Sequence, residues 1–253
     1  MRARGLFLLF ALAALAPGET WAAEDIVSGV STDLIQIQSD FTGTEIVVFG
    51  AVEGAAPGTA PEDHHIVAVL RGPETQVTVR RQARFLGIWV TAEQATFTGM
   101  PGYYYLASTR PIEEMAPPNL LRRLALGGTA LGTAADVGAE RQAELRAAAV
   151  RNLAREQLYG EAAGGIEFLS PSLFRARIPV PANVPPGEYH AEVYLFRSGG
   201  LVTLQSSPLF VDKTGLERRV YEFAYSASFA YGFVSVLMAI AFGWLGFALL
   251  RPR

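Results

Sequence analysis

The stretch that decides the fold is EYHAEVYLFRSGGLVTLQSSPLFV, residues 188–211. Its two arms are rich in apolar and β-branched residues, and the tripeptide Ser198-Gly199-Gly200 between them has the composition of a tight turn. Each arm presents an apolar face. The stretch therefore predicts a β-hairpin that packs one side on a core, and the segments 165–168 and 173–180 before it give further strand signals.

The first half of the chain carries the same pattern of short strands separated by turn residues. Strand signals lie at residues 33–38, 45–52, 66–71, 75–85, 87–91 and 103–108. Short strands at this spacing are typical of an antiparallel sandwich of the immunoglobulin-like kind. The sequence leaves open whether the second β-rich segment completes this sandwich or forms a second small domain.

A helical insert separates the two β-rich segments. Residues 119–126 follow Pro117-Pro118, and residues 139–159 are rich in Ala, Glu, Arg and Leu. Leu145, Ala149 and Leu153 fall on one face of the second helix, which predicts a helix packed on the β-domain. The expected fold class is mainly β with a helical insert.

The two ends of the chain predict export and membrane anchoring. A basic start and an apolar run before Thr20-Trp21-Ala22 are typical of a secretory signal peptide. Residues 226–250 contain no charged side chain, which predicts one C-terminal transmembrane helix. We therefore expect a single-pass protein of the bacterial inner membrane, with its body in the periplasm.

These signals divide the chain into seven predicted segments. They are a signal peptide (1–22), a β-rich domain (23–111), a helical segment (112–164), a β-rich segment (165–213), a juxtamembrane linker (214–225), a transmembrane helix (226–250) and a cytoplasmic tail (251–253).

The composition excludes several functional classes. The 253 residues are 50% hydrophobic and 18% charged, with a formal net charge of −3, so neither disorder nor nucleic-acid binding is expected. The chain has no cysteine, which excludes disulfides, thiol catalysis and thiolate metal sites. No cofactor is predicted.

One set of residues is a candidate for metal binding. Glu188, His190 and Glu192 alternate along a predicted strand, so they share a face and could hold a divalent cation. A polar stripe that faces solvent explains the same pattern and is favoured. Adjacent His64 and His65 would point to opposite faces, so they are predicted at a polar loop rim.

Two further groups are candidates for ligand contact. Arg80, Arg81 and Arg84 could engage an anion, but a solvated strand edge is the favoured interpretation. Residues 103–105 are three tyrosines that could stack on a ligand, although aromatic residues in strands mostly belong to the core.

Small residues recur along one face of the predicted membrane helix. Such residues allow close helix packing in lipid, which indicates a second copy of the chain or a polytopic membrane protein as partner. They are Gly232, Ser235, Ala239, Gly243 and Gly246.

Several short segments together resemble the alphaproteobacterial family described as putative transmembrane proteins. They are Gly87-Ile88-Trp89-Val90, Ala107-Ser108-Thr109-Arg110-Pro111, Leu173-Phe174-Arg175-Ala176, Val184-Pro185-Pro186-Gly187-Glu188-Tyr189, Lys213-Thr214-Gly215-Leu216-Glu217-Arg218, Tyr231-Gly232 and Gly243-Trp244. The resemblance implies no catalytic residues. It implies an association with sulfite-exporter-like permeases, and hence an accessory role in transport.

The sequence thus predicts a binding or accessory subunit of a membrane assembly rather than an enzyme. A metal-dependent periplasmic enzyme built on Glu188, His190 and Glu192 is one alternative. A structural envelope protein is the other.

Overall fold

The computed structural model describes residues 24–37, 42–54, 64–134, 138–213, 224–225 and 228–250, with the side chains at 129, 139, 230 and 246–250 left undescribed. The strands are β1 (Asp25–Val30), β2 (Leu34–Ile37), β3 (Thr44–Glu53), β4 (His65–Arg71), β5 (Glu74–Phe85), β6 (Ile88–Pro101), β7 (Tyr104–Ser108), β8 (Tyr159–Ala163), β9 (Ile166–Phe168), β10 (Leu173–Val180), β11 (Gly187–Arg197) and β12 (Gly200–Lys213). The helices are α1 (Ile112–Met115), α2 (Pro118–Arg123), α3 (Ala139–Arg155) and α4 (Ser228–Leu250), with a 3-10 turn at Gly128–Ala130.

Most strands lie in two sheets. One has the order β1-β3-β10-β9, and the other has the order β2-β12-β11-β4-β7-β8. Strand β3 pairs with β10, and β4 pairs with β11, so both predicted β-rich segments contribute to each sheet. The pairs β2–β12 and β7–β8 are parallel, whereas the other pairs are antiparallel.

The buried residues of both sheets and of the helical insert form one core. Strands β3 and β10 alternate buried and exposed residues, as expected for strands with one face on a core. Strand β4 instead has five successive buried residues, 66–70. Ile112, Met115 and Leu126 of the insert belong to the same core, so the insert covers the second face of this sheet. The prediction of a mainly β protein with a helical insert is confirmed.

Helix α3 is amphipathic as predicted but ends earlier. Leu145 and Ala149 are buried, and the helix stops at Arg155 rather than at residue 159. Gln157 adopts a left-handed conformation (φ 61°), which ends the helix, and the Leu158 amide then bonds the Leu153 carbonyl at 2.9 Å. The chain is thereby turned into β8, which begins at Tyr159.

The third β element differs most from the prediction. Among the described strands, β5 and β6 pair only with each other and form a long two-stranded ribbon, and Thr98 of β6 makes an additional bridge to Thr133. The predicted strands at 75–85 and 87–91 are arms of this ribbon, not members of the sandwich. Alternating sequences do not distinguish these cases, because a ribbon and a core strand share the same two-residue period.

The predicted terminal segments are only partly described. Helix α4 occupies most of residues 226–250, and within the described part of the chain no helix is long and apolar enough to cross a membrane. The predicted signal peptide (1–22), the tail (251–253) and the linker except 224–225 lie outside the described residues.

Candidate interaction surface

A row of side chains crosses the larger sheet in register. His190 of β11 lies opposite Arg71 of β4, Arg71 lies opposite Tyr104 of β7, and Tyr104 lies opposite Tyr159 of β8. Residues directly opposite each other on neighbouring strands share a face of the sheet. The row therefore places a guanidinium, an imidazole and two phenols on one side.

Arg71 forms a half-buried ion pair in this row. Its Nε donates to Oε2 of Glu192 at 2.8 Å, and the side chains of Arg71 and Glu192 are only 16% and 21% exposed. The Tyr194 hydroxyl donates to the same carboxylate oxygen at 2.6 Å. One oxygen of the Glu192 carboxylate thus accepts two hydrogen bonds from within the chain.

The same guanidinium holds the helical insert. Nη2 of Arg71 donates to the carbonyl oxygens of Leu124 and Ala125 at 3.1 and 2.9 Å, immediately after α2. These carbonyls belong to the unpaired end of the helix, which a cation stabilises. The guanidinium carbon also lies 5.3 Å from the centroid of the Tyr104 ring. Arg71 therefore fastens the insert to the sheet.

The pKa values in this cluster follow from burial and from the ion pair. Burial opposes the charge of Arg71, but Glu192 outweighs it and the pKa of Arg71 is raised. Burial raises the pKa of Tyr104 to about 12, although Arg71 and the bond from the Gly127 amide act against the rise. Arg71 is therefore cationic and Tyr104 is neutral near neutral pH.

The three candidate metal ligands do not form a metal-binding group in the structure. Nε2 of His190 lies 3.9 Å from Oε1 of Glu188, while Glu192 bonds Arg71 instead. Among the described residues, no group of three or more His, Cys, Asp or Glu side chains is placed to hold a metal ion. The sequence predicted their shared face but could not reveal the arginine on the neighbouring strand.

A cavity of about 470 Å³ opens beside Arg71. Glu74, Glu188 and His190 stand at its polar side, and Pro101 and Leu131 supply apolar contacts. A Cβ at Gly132 would lie 2.4 Å from Cγ of Met100, so glycine is required for the close approach of this wall. The cavity can accept a small polar group, but its arginine is already bonded to Glu192 and two carbonyls.

The other residues weighed from sequence have mainly structural surroundings. Tyr103 is buried and donates to the Pro179 carbonyl, whereas Tyr105 lines a second cavity of about 570 Å³. His64 is 3% exposed, so its predicted place at a loop rim is wrong; its Nε2 lies 3.8 Å from Oε1 of Glu24. The alternation of side chains along a strand predicts that His64 and His65 point to opposite faces, but it does not predict which of the two points into the core.

The ribbon of β5 and β6 divides into a packed and an exposed half. Near its base, Val79, Ala95 and Phe97 are buried, and α3 contacts both strands. Arg141 of α3 lies 3.3 Å from Glu93. Beyond this clamp, the side chains at 84–92 are exposed on both faces. The distal half therefore projects from the body.

The tip of this ribbon, which we call the hairpin tip, consists of residues 85–90. Phe85, Leu86, Ile88, Trp89 and Val90 are 63%, 89%, 64%, 66% and 36% exposed. Exposed apolar patches of this kind mark interaction sites on monomeric proteins. The sequence analysis did not predict this exposed tip. A signal was present, because the segment FLGIWV places apolar residues at consecutive positions beside a two-residue Leu-Gly turn, and this pattern breaks strict alternation.

Helix α4 forms a second exposed apolar surface. Its large side chains include Phe229, Phe242 and Trp244, which are 92%, 70% and 69% exposed. The predicted packing residues Gly232, Ser235, Ala239 and Gly243 lie on this helix, while the side-chain position of Gly246 falls outside the described residues. A Cβ at Gly232 or Gly243 would meet nothing within 4 Å. The small-residue face is thus uncovered by other described residues of the chain.

Comparison with known proteins gives two kinds of result. No curated protein matches the chain. Among solved structures, the chain is similar to AggA, the major subunit of aggregative adherence fimbriae type I from Escherichia coli, at 10% identity, covering 77% of this chain and 96% of that chain. The TM-score of 0.25 is too low to support any inference. The family described as "Putative transmembrane protein (Alph_Pro_TM)" matches residues 25–252, and the chain belongs to this family.

Proposed function

We propose that the protein is a membrane-anchored, extracytoplasmic binding or accessory subunit of a membrane assembly. The observation that carries the proposal is the exposure of large apolar side chains along the uncharged helix α4, although the described part of that helix is not by itself long and apolar enough to cross a membrane. Exposing large apolar side chains to water is energetically unfavourable. Membership of a transmembrane protein family supports the same location.

The proposed topology is a single pass with the β-rich body outside the cytoplasm. The basic and apolar start of the chain supports export, and the uncharged run of residues 226–250 is of the length that a bilayer core of about 30 Å requires. On this topology an immunoglobulin-like body recognises its partners through sheet surfaces and loops. The compartment would be the bacterial periplasm, bounded by the inner membrane.

The proposed partner in the bilayer is a polytopic membrane protein. Gly232, Ser235, Ala239 and Gly243 recur every three or four residues, which places them on one helix face. Ser235 donates to the Tyr231 carbonyl at 2.9 Å, so its polar atom is satisfied within the helix. A face of this kind allows another helix to approach closely without leaving an unpaired hydroxyl in lipid.

The test compares two faces of the same helix. We would extract the full chain in mild detergent, crosslink it and identify the proteins that copurify by mass spectrometry. One variant carries Ser235→Leu, Ala239→Leu and Gly243→Leu on the small-residue face. The matched control carries Val234→Leu and Ala241→Leu, which lie on the opposite face because each residue advances the helix by about 100°.

A polytopic protein that copurifies with the wild type and the control, but not with the small-face variant, is the expected result. Since a Cβ at Gly243 meets no atom within 4 Å, loss of the partner reports lost helix contact rather than a disturbed body. Recovery of the protein without any stoichiometric partner would contradict the accessory role. Recovery in the soluble fraction would contradict the anchor.

A further inference from the structure

We propose that the hairpin tip inserts into the surface of a lipid bilayer that contains anionic headgroups. This contact is separate from helix α4 and would be a second attachment of the body to the membrane. The inference rests on the geometry, the side chains and the charge of the β5–β6 ribbon. It does not require the accessory role proposed above.

The two faces of the tip differ in chemistry. Phe85 pairs with Ile88, and Ala83 pairs with Val90, so one face is apolar. On the other face Arg84 pairs with Trp89. The Arg84 guanidinium carbon lies 6.0 Å from the centroid of the Trp89 ring. An arginine beside a tryptophan is a combination that suits the boundary between headgroups and acyl chains.

The turn itself presents an apolar side chain to solvent in an unusual conformation. Leu86 and Gly87 both have positive φ, 49° and 88°, as in a two-residue hairpin turn that favours Asn or Gly at its first position. Leu86 is nevertheless a leucine, and it is 89% exposed. A strained conformation combined with an exposed apolar side chain at the outermost point of the ribbon indicates a contact outside the chain.

The charges behind the tip are mainly basic. Between residues 82 and 92 the one charged side chain is Arg84, and Arg80 and Arg81 follow directly toward the body. Nε of Arg80 donates to Gln94 at 3.0 Å, and Arg81 lies 3.9 Å from Glu144 of α3. Glu93 faces Arg141. The end of the ribbon thus carries positive charge that complements anionic headgroups.

The size of the patch favours lipid over protein as its occupant. The tip offers five exposed apolar side chains on a narrow two-stranded end, whereas a stable protein interface buries about 800 Å² and about 20–30 residues on each partner. A bilayer needs no shape complementarity from a narrow apolar end, and its anionic headgroups match the arginines. The geometry therefore fits a wedge in the bilayer surface.

Fluorescence of Trp89 tests the inference on the full chain. The chain has three tryptophans, and Trp21→Phe with Trp244→Phe leaves Trp89 as the one reporter. The protein is reconstituted into phosphatidylcholine vesicles with or without phosphatidylglycerol, and with or without brominated phosphatidylcholine. We expect a blue-shifted Trp89 emission that is quenched by brominated lipid but not by iodide in the water. Both the shift and the quenching by brominated lipid should depend on phosphatidylglycerol.

Variants separate the tip from the rest of the protein. In the Trp89-only chain, Phe85→Ser with Leu86→Ser is expected to abolish quenching by brominated lipid, and Arg80→Gln with Arg84→Gln to abolish the dependence on phosphatidylglycerol. The matched control is Phe210→Ser on β12, an apolar side chain that is 50% exposed on the body, and it should leave the quenching unchanged. Circular dichroism checks that each variant keeps the β fold.

Two results would overturn the inference. Trp89 that iodide quenches and brominated lipid does not would place the tip in water. Trp89 that neither agent quenches would place it in a contact with protein, such as a second copy of the chain. A parallel chain with Trp244 as the one tryptophan reports the proposed anchor independently, so failure of the anchor and failure of the hairpin tip give different patterns.

Discussion

Replacing Arg71 by methionine tests whether the helical insert is held by a half-buried ion pair. The change keeps most of the apolar stem but removes the bonds to Glu192 and to the carbonyls of Leu124 and Ala125. Removing one member of a buried pair costs about 3–5 kcal/mol, because the remaining charge loses its compensation. Glu192 would keep the hydrogen bond from the Tyr194 hydroxyl but would lose its cationic partner. We therefore expect Arg71→Met to lower the free energy of unfolding by about 3–5 kcal/mol.

The matched control is Arg175→Met. Arg175 bonds Glu167 at 2.7 Å across neighbouring strands, almost the same distance as in the Arg71 pair, but Glu167 is 62% exposed. Exposed pairs contribute about 0–1 kcal/mol. Urea unfolding followed by circular dichroism measures both variants, and the larger loss should lower the midpoint by about 1–2.5 M at an m-value of about 2–3 kcal/mol per molar. Equal losses in the two variants would refute the reasoning from burial.

Three further predictions use the same unfolding measurement. Gly50→Ala should destabilise the body by about 1–3 kcal/mol, because the new Cβ would lie 2.6 Å from the Val27 carbonyl oxygen. An unchanged unfolding midpoint would contradict the close packing of β1 on β3. Trp89→Ser should leave the free energy of unfolding within about 0.5 kcal/mol, since the tip is exposed; a large loss would show that the ribbon packs on the body. Burial raises the pKa of Tyr104 from 10.0 to about 12, and the unfolded state therefore ionises first. The contribution of Tyr104 to stability is complete below about pH 10 and is lost as the pH rises from about 10 to about 12. Titration of all the phenols at one ordinary pKa, followed by ultraviolet absorbance, would contradict this.

The local elements of the fold follow from the sequence because their causes are local. Ser198 and Gly199 both adopt positive φ between β11 and β12, as the turn chemistry of residues 198–200 predicts. The alternation of β11 also placed Glu188, His190 and Glu192 on one face. Helix α3 carries its predicted apolar stripe, with Leu145 and Ala149 buried.

The neighbours across the sheet do not follow in the same way. Arg71 and Glu192 are 121 positions apart, and a two-residue period specifies a face but not which strand lies beside it. The same limit explains the ribbon. The apolar residues around Trp89 predict a strand of the sandwich. In the structure, β5 is paired with β6 alone, and the tip that contains Trp89 is exposed. Which strands share a core is decided by long-range packing that a local pattern does not contain.

The helical insert connects the ion pair to the hairpin tip. An isolated two-stranded ribbon is marginally stable in water, so a projecting tip requires a braced base. That brace is α3, which contacts β5 and β6 and carries Arg141 beside Glu93. The insert is in turn fastened to the sheet by Arg71, through the carbonyls that follow α2. The insert is therefore held at two places, by Arg71 on the larger sheet and by the contacts of α3 with the ribbon.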